Sequence, residues 1–474
     1  MLLCNLPADI LTIVLKDCLA REEDKVDELK SNLPLLAVCR PWRCVAIPLV
    51  YDLVFVQYGD DLNPRSDSIT RDPNVEEPTD TAVLTNLDLV AMVGCAGAVR
   101  HFDIEVHFLA NPFPGWREVI QRMRAVAAKW RVMELTLAMH PDFVQFDYRD
   151  VDMDKYANDI VEVGDALAAL MPDVRHLECG GVKNNPIAHP LYGRVASHYA
   201  DKLQQLSSGH PLVVPPGCRF MRLKEIDTHF GIAGEHQLPP MAGGEMVDMR
   251  LLYVPPHHSW ESFSTDGDSQ DIEFTNLKQL HVALSLGITY SRGDASGFPA
   301  INRILESARG SESLELVIND HMLRLEPEHI TCTALTHLQV WPITSADTML
   351  AIIARLPNLV NATFSALDLF EVQADLSVPA ADEDTVVEPL HRSLERLDIR
   401  YDTERNDQEV GVALAKYMLL RLPTLTELLA AQTPEEPVLS FVEEYVPRYP
   451  HLSDIELTLY AGGDSEYEDW EGYN

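Results

Sequence analysis

Four residues in one short segment carry the groups best suited to chemistry. In His101-Phe102-Asp103-Ile104-Glu105-Val106-His107 polar and apolar residues alternate. On a β-strand that period of two sets His101, Asp103, Glu105 and His107 along one side. Imidazole and carboxylate are zinc ligands, so a metal site is the first chemistry to test. Along a single strand, however, the four groups spread over roughly 20 Å, too far to close around one ion. The expectation is no metal and no cofactor. The chain also has no Gly-x-Ser-x-Gly elbow, no Gly-rich phosphate loop ending in Lys, no Gly-x-Gly-x-x-Gly and no His-Glu-x-x-His. Gly180-Gly181 and Gly243-Gly244 read as turns, and His257-His258 lies in a Pro-rich loop without a companion ligand. No catalytic residue is expected.

The strand that would hold those four groups belongs to a series. A hexad of the form Leu-x-x-Leu-x-Leu recurs from Val99 (with Phe102 and Ile104), Val132 (Leu135, Leu137), Val174 (Leu177, Cys179), Leu277 (Leu280, Val282) and Leu335 (Leu338, Val340). It continues from Leu359 (Ala362, Phe364), Leu394 (Leu397, Ile399), Leu425 (Leu428, Ala430) and Leu452 (Ile455, Leu457), with weaker copies near Leu223, Met246 and Leu314. Helical stretches fall between them: 116–130, 157–171, 301–308, 346–356, 410–422 and 438–445. One strand-loop-helix unit cannot bury its apolar face alone, so stacking into a parallel sheet is the expected solution. The polar residues between the apolar ones would then face a partner: His101, Asp103 and Glu105; His337, Gln339 and Trp341; Arg396, Asp398 and Arg400. Trp341 could anchor an interface or merely cover a strand end beside Pro342, and Arg396, Asp398 and Arg400 could pair with one another instead.

The N-terminal residues have a different period. Ile10, Leu11, Val14, Leu15, Cys18 and Leu19 lay an apolar stripe along a helix that starts behind Pro7. A charged run from Arg21 to Lys30 interrupts the stripe, and Leu33, Leu35, Leu36, Val38 and Cys39 follow. Pro41 predicts a break, and a short helical turn through Trp42 should end before Pro48. The next residues, LVYDLVFV, have strand composition. Three short helices make a marginal core that leans on a partner or a neighbouring domain.

Leu6-Pro7, Ile10-Leu11, Val14-Leu15, Val38-Cys39-Arg40 and Trp42-Arg43 together resemble an F-box of the kind common in fungal proteins, over about an eighth of the chain. The repeats from 85 to 460 resemble the irregular leucine-rich-repeat domains that follow F-boxes in many such proteins. The resemblance implies an α/β architecture: a short helical F-box-like module (1–56), a linker or exposed loop (57–84), a leucine-rich-repeat solenoid of strand-loop-helix units (85–460) and an acidic disordered tail (461–474). It also implies that Leu6, Pro7, Ile10, Leu11, Val14, Leu15, Leu35, Val38, Cys39 and Trp42 contact the small adaptor subunit of an SCF-type cullin-RING ubiquitin ligase and, through it, a cullin.

Composition narrows the partners. The chain of 474 residues has 37 basic and 74 acidic residues, a net charge of −37. Almost none of that charge arises between Met1 and Val56, where acidic and basic side chains nearly balance. Such a surface repels phosphate backbones and suits a basic protein, so no nucleic acid is expected. No apolar run is long enough to cross a bilayer, and no membrane partner is expected. Eight scattered cysteines without a Cys-x-x-Cys pair read as reduced core thiols of a cytoplasmic or nuclear protein. The expected role is therefore a substrate receptor for a ubiquitin ligase, binding an unknown protein substrate through the repeats. The alternative is a non-catalytic repeat scaffold whose helices only cap the first repeats. An adaptor surface would leave Leu6, Pro7, Leu11, Leu15 and Trp42 partly exposed, whereas a cap would bury them.

Overall fold

The computed structural model describes residues 7–19, 25–59, 82–108, 111–126, 130–141, 153–181, 187–209, 212–215, 217–229, 243–254, 274–284, 305, 308–318, 327–330, 332–341, 344–369, 372–380, 386–401, 408–431 and 433–460. The fold is mixed α/β, with strands that are mostly parallel. The chain forms two compact units, one of residues 1–231 and 236–242, the other of 232–235 and 243–474.

The first unit opens with three helices, α1 (Ala8–Cys18), α2 (Lys25–Asn32) and α3 (Arg40–Val50), and a 3-10 turn, Leu33–Ala37, before α3. The apolar stripe ends with α1, before the charged run, and the later part of that run forms α2. One sequence expectation fails here: helix α3 runs through Pro48 to Val50. Pro41 sits in its first turn, where no backbone donor is missed, and Pro48 lies in its last turn, where little helix remains to be broken.

The next strand, β1 (Leu53–Gly59), pairs antiparallel with β2 (Ala82–Thr85) and parallel with β3 (His101–Phe108). It therefore belongs to the sheet and not to the helical module. Tyr51, Val54 and Val56 are buried with the spacing of the later hexads. The expected linker, 57–84, begins and ends in strands, and 60–81 lie outside the described residues. Asn86 fixes the corner between β2 and the short helix α4 (Leu87–Val93). Its Oδ1 accepts the Phe55 N–H at 3.1 Å, and its amide donates to the Leu53 carbonyl at 3.0 Å.

Beyond β3 the parallel ladder of this unit continues through β4 (Glu134–Pro141), β5 (His176–Gly181), β6 (Gln205–Ser208) and β7 (Glu225–His229). Helices α5 (Phe113–Ala125), α6 (Met153–Leu170) and α7 (Ala188–His198) form the connections. On α5 the buried residues Phe113, Trp116, Val119, Ile120 and Met123 follow helical spacing, which turns one face toward the strands. Helix α7 is missing from the sequence expectations, because Pro190 and Gly193 argue against it. Gly193 is needed there, since a Cβ at that position would come 2.0 Å from the Val213 carbonyl oxygen.

The second unit repeats the plan. Strands β8 (Asp248–Val254), β9 (Gln279–Leu284), β10 (Ser313–Ile318) and β11 (His337–Val340) are followed by β13 (Asn361–Asp368), β14 (Arg396–Tyr401), β15 (Glu427–Ala431) and β16 (Glu456–Tyr460), all in parallel. The short β12 (Thr344–Ser345) adds beside β13. Helices α8 (Ala346–Arg355), α9 (Gln408–Arg421) and α10 (Glu435–Tyr445) link the later strands, and Ser345 caps α8 by accepting the Thr348 N–H at 3.1 Å. The expected helix at 301–308 lies mostly outside the described residues, as does the tail 461–474.

One backbone contact recurs at the strand starts of both units. The Asp52 carbonyl accepts two successive N–H groups, from Arg100 and His101. The carbonyls of Arg100, Met133, Arg175 and Gln204 do the same for the next strand in the first unit, as do those of Val247, Lys278, Glu312, Thr336, Val360 and Glu395 in the second. Inside, the hexad residues stack in register: Leu135 between Phe102 and Leu177, Leu397 between Ala362 and Leu428. These side chains are buried, and the phenylalanine and the leucines each contribute about 1.5–3 kcal/mol relative to exposure. His391 closes the turn before β14. Its Nδ1 accepts the N–H groups of Ser393 (3.1 Å) and Leu394 (3.0 Å), and its Nε2 lies 2.7 Å from the Leu356 carbonyl, an arrangement that the neutral ring with a proton on Nε2 satisfies completely.

Candidate functional site

The ten residues expected to meet an adaptor divide into two groups. Leu11, Leu15 and Trp42 are 1%, 0% and 7% exposed, so they belong to the interior and are not a contact surface. The physical reason is the packing of α1 against α3 and of α3 against the 3-10 turn, which consumes the larger side chains. Pro7, Ile10 and Val38 are exposed, and Val14, Leu35 and Cys39 are half-buried. Leu6 lies outside the described residues. Two exposed apolar residues absent from the expected set accompany them, Ile13 (59%) and Leu33 (37%).

On the strands of the first unit the alternation places side chains as expected, with Phe102, Ile104 and Val106 inside. His101, Glu105 and His107 are half-buried on the other side, and Asp103, at 9% exposure, is nearly covered. Register brings neighbours beside them. His101 meets Glu134 and then His176; Asp103 meets Thr136 and then Glu178; Glu105 lies between Gln57 and Ala138; His107 meets His140. The His101 Nε2 is 3.0 Å from the Thr136 Oγ1, the His176 Nδ1 is 3.6 Å from the Glu134 Oε1, and the Gln57 amide donates to the Glu105 Oε2 at 3.0 Å. The His107 imidazole first, then the His140 charge and the Gln57 amide, hold the Glu105 carboxyl below its ordinary range, against the burial that would raise it. Among the described strand residues, this face carries Asp103, Glu105, Glu134, Glu178, Glu225 and Asp227 and neither Lys nor Arg.

The corresponding face of the second unit is paired differently. Arg396 Nε lies 3.3 Å from Glu427 Oε2, and Arg400 donates to Asp398 Oδ2 at 3.2 Å. These residues form ion pairs across and along the strands, and Asp398 is buried. His281 Nδ1 sits 2.6 Å from Glu315 Oε2. The His281 hydrogen bond leads, followed by the Trp341 indole and the Arg250 charge, in holding the Glu315 carboxyl low against burial. Trp341 is thus half-buried beside Glu315, His337 is exposed and Gln339 is half-buried.

Sequence reasoning picked out His176 and Glu178 on a later strand but missed Glu134, His140 and Glu315. The signal was present in the hexads: the step from Val99 to Val132, the starts of two successive copies, is the same as the step from His107 to His140. The cysteines divide as well. Cys95, Cys179 and Cys332 are buried, with burial pushing the Cys332 thiol up to about 12, but Cys18 and Cys44 are exposed and are not core thiols.

The chain matches no protein-family model and no curated protein. No helix among the described residues is long and apolar enough to cross a membrane.

Proposed function

We propose that the chain is a recognition subunit: its N-terminal helices dock it onto a larger assembly while the polar strand faces hold a protein partner. In its specific form, resting on the F-box resemblance, the assembly is an SCF-type cullin-RING ubiquitin ligase and the partner a substrate, with the strand-loop-helix units read as irregular leucine-rich repeats. The chain would then contribute proximity and no bond-making residue, in the cytoplasm or nucleus. The observation that supports this reading is the apolar set of Pro7, Ile10, Ile13, Leu33 and Val38, which stays exposed after the module has packed its own core. On the repeat side, a face with six carboxylates and no Lys or Arg among its described strand residues fits a basic segment of a partner.

The second reading is that the helices are a cap and the chain is a scaffold without a ubiquitin role; it needs no exposed adaptor surface, and Leu11, Leu15 and Trp42 offer none because they are buried within the module itself. A pull-down with purified SCF adaptor separates the two. Stoichiometric capture by the wild type, lost in an Ile10→Asp, Val38→Asp variant of unchanged urea midpoint, supports the receptor. No capture by the folded wild type removes it and leaves the scaffold.

A further inference from the structure

Toward the far end of β3, three titratable groups from two strands converge, Glu105 among them. Glu105 and His107 are two residues apart on one side of β3, and the register sets His140 of β4 directly beside His107. One donor atom from each of the three lies within 4.8 Å of the others. His107 Nε2 is 3.8 Å from Glu105 Oε2, and the two imidazoles stack with centroids 4.9 Å apart at 23°. All three residues are half-buried.

We propose that Glu105, His107 and His140 form a binding site for a divalent transition-metal ion, with Zn²⁺ the best match. Two imidazoles and one carboxylate are a mixed nitrogen and oxygen set that suits zinc, and three protein ligands leave at least one position for water. With bonds of about 2.0–2.1 Å, donors around a tetrahedral ion sit roughly 3.4 Å apart. The donors thus close by about 1.5 Å at most, within reach of side-chain rotation as the stacked rings open and turn their lone pairs inward. The distance that argued against a metal is the one along a single strand; the neighbouring strand supplies the missing proximity.

The surroundings are arranged for such a site. The Gln57 amide, donating to Glu105 Oε2, orients the carboxylate as outer ligands do around metals. Gly59 faces His107 across the ladder, and a Cβ there would lie 2.5 Å from the His107 Cβ, so the imidazole has its place only because position 59 has no side chain. Both histidines must be neutral to bind, so the metal competes with protons and its apparent affinity falls below pH ~6.5.

The test does not rest on the ubiquitin reading, because its readout is metal on the isolated chain. Untagged full-length protein is titrated with Zn²⁺ by calorimetry at pH 7.5 and pH 5.5, and with Co²⁺ by visible absorption. The expected result is one equivalent bound at pH 7.5, weaker at pH 5.5, with a Co²⁺ band in the visible. Affinity should fall ~10-fold or more in His140→Ala and in the near-isosteric Glu105→Gln. His337→Ala, on the second unit, should bind like the wild type. Urea midpoints show whether each variant is folded. Absence of a stoichiometric site in the wild type overturns the proposal, as does a site whose affinity is the same in folded His140→Ala and Glu105→Gln.

Discussion

The two strand faces rest on the same kind of interior yet carry opposite electrostatic solutions. In the first unit carboxylates and histidines share the face without Lys or Arg among the described strand residues; in the second, Arg396 and Arg400 neutralise Glu427 and Asp398. Both interiors are built from apolar residues at hexad spacing, so packing does not dictate what lies outside. The face is where the chain is free to differ, and the unbalanced face is the better place to seek a charged ligand.

If the interiors are equivalent, Phe102→Ala and Phe364→Ala should each destabilise by about 3–5 kcal/mol, read as urea midpoints. A cost confined to one unit would show that the two cores are not alike. His391→Ala, in the second unit, leaves the buried Leu394 N–H and the part-buried Ser393 N–H without their acceptor and should cost about 1–3 kcal/mol by the same measurement. The faces are separated by pH. Glu105 and Glu315 both titrate lower in the fold than in the unfolded chain, so their stabilisation is full above pH ~4.3 and is lost as pH falls through the folded values. Glu105→Gln and Glu315→Gln should therefore each flatten the loss of stability between pH 5 and pH 3, by no more than about 1 kcal/mol for such half-exposed groups. Smallest of all, Arg396→Ala should change stability by about 0–1 kcal/mol, since its pair with Glu427 is solvated. A larger loss would make the second face structural.

Much of this fold is legible in the sequence because burial enforces period two: Val99, Phe102 and Ile104 are buried as their spacing demands, and the copies through Leu425 repeat them. The copy at Leu203 and Leu206 escapes notice because its third apolar position is Ser208, buried all the same. The final copy is out of frame: the 3-10 turn Pro450–Asp454 lengthens the approach to β16, so Leu457 and not Ile455 aligns with Leu428. The site is less legible than the fold. A stripe of Leu11 and Leu15 looks the same whether it meets a partner or its own module, and only the packing of α3 decides. His140 belongs beside His107 through a register that no single strand reveals.

The paired N–H contacts at the strand starts have one more consequence. Each strand with this contact takes its position from a single carbonyl at the start of the strand before it, so the span between strand starts is unconstrained: the step from Gln205 to Glu225 is less than half that from Glu134 to His176. Lengthening a connection adds only a slowly growing entropic penalty, whereas a slip of one position at the carbonyl turns a whole strand inside out. The chain is thus tolerant of insertions and intolerant of frameshifts in register: evolution can enlarge its loops freely, provided that the counting restarts at each strand.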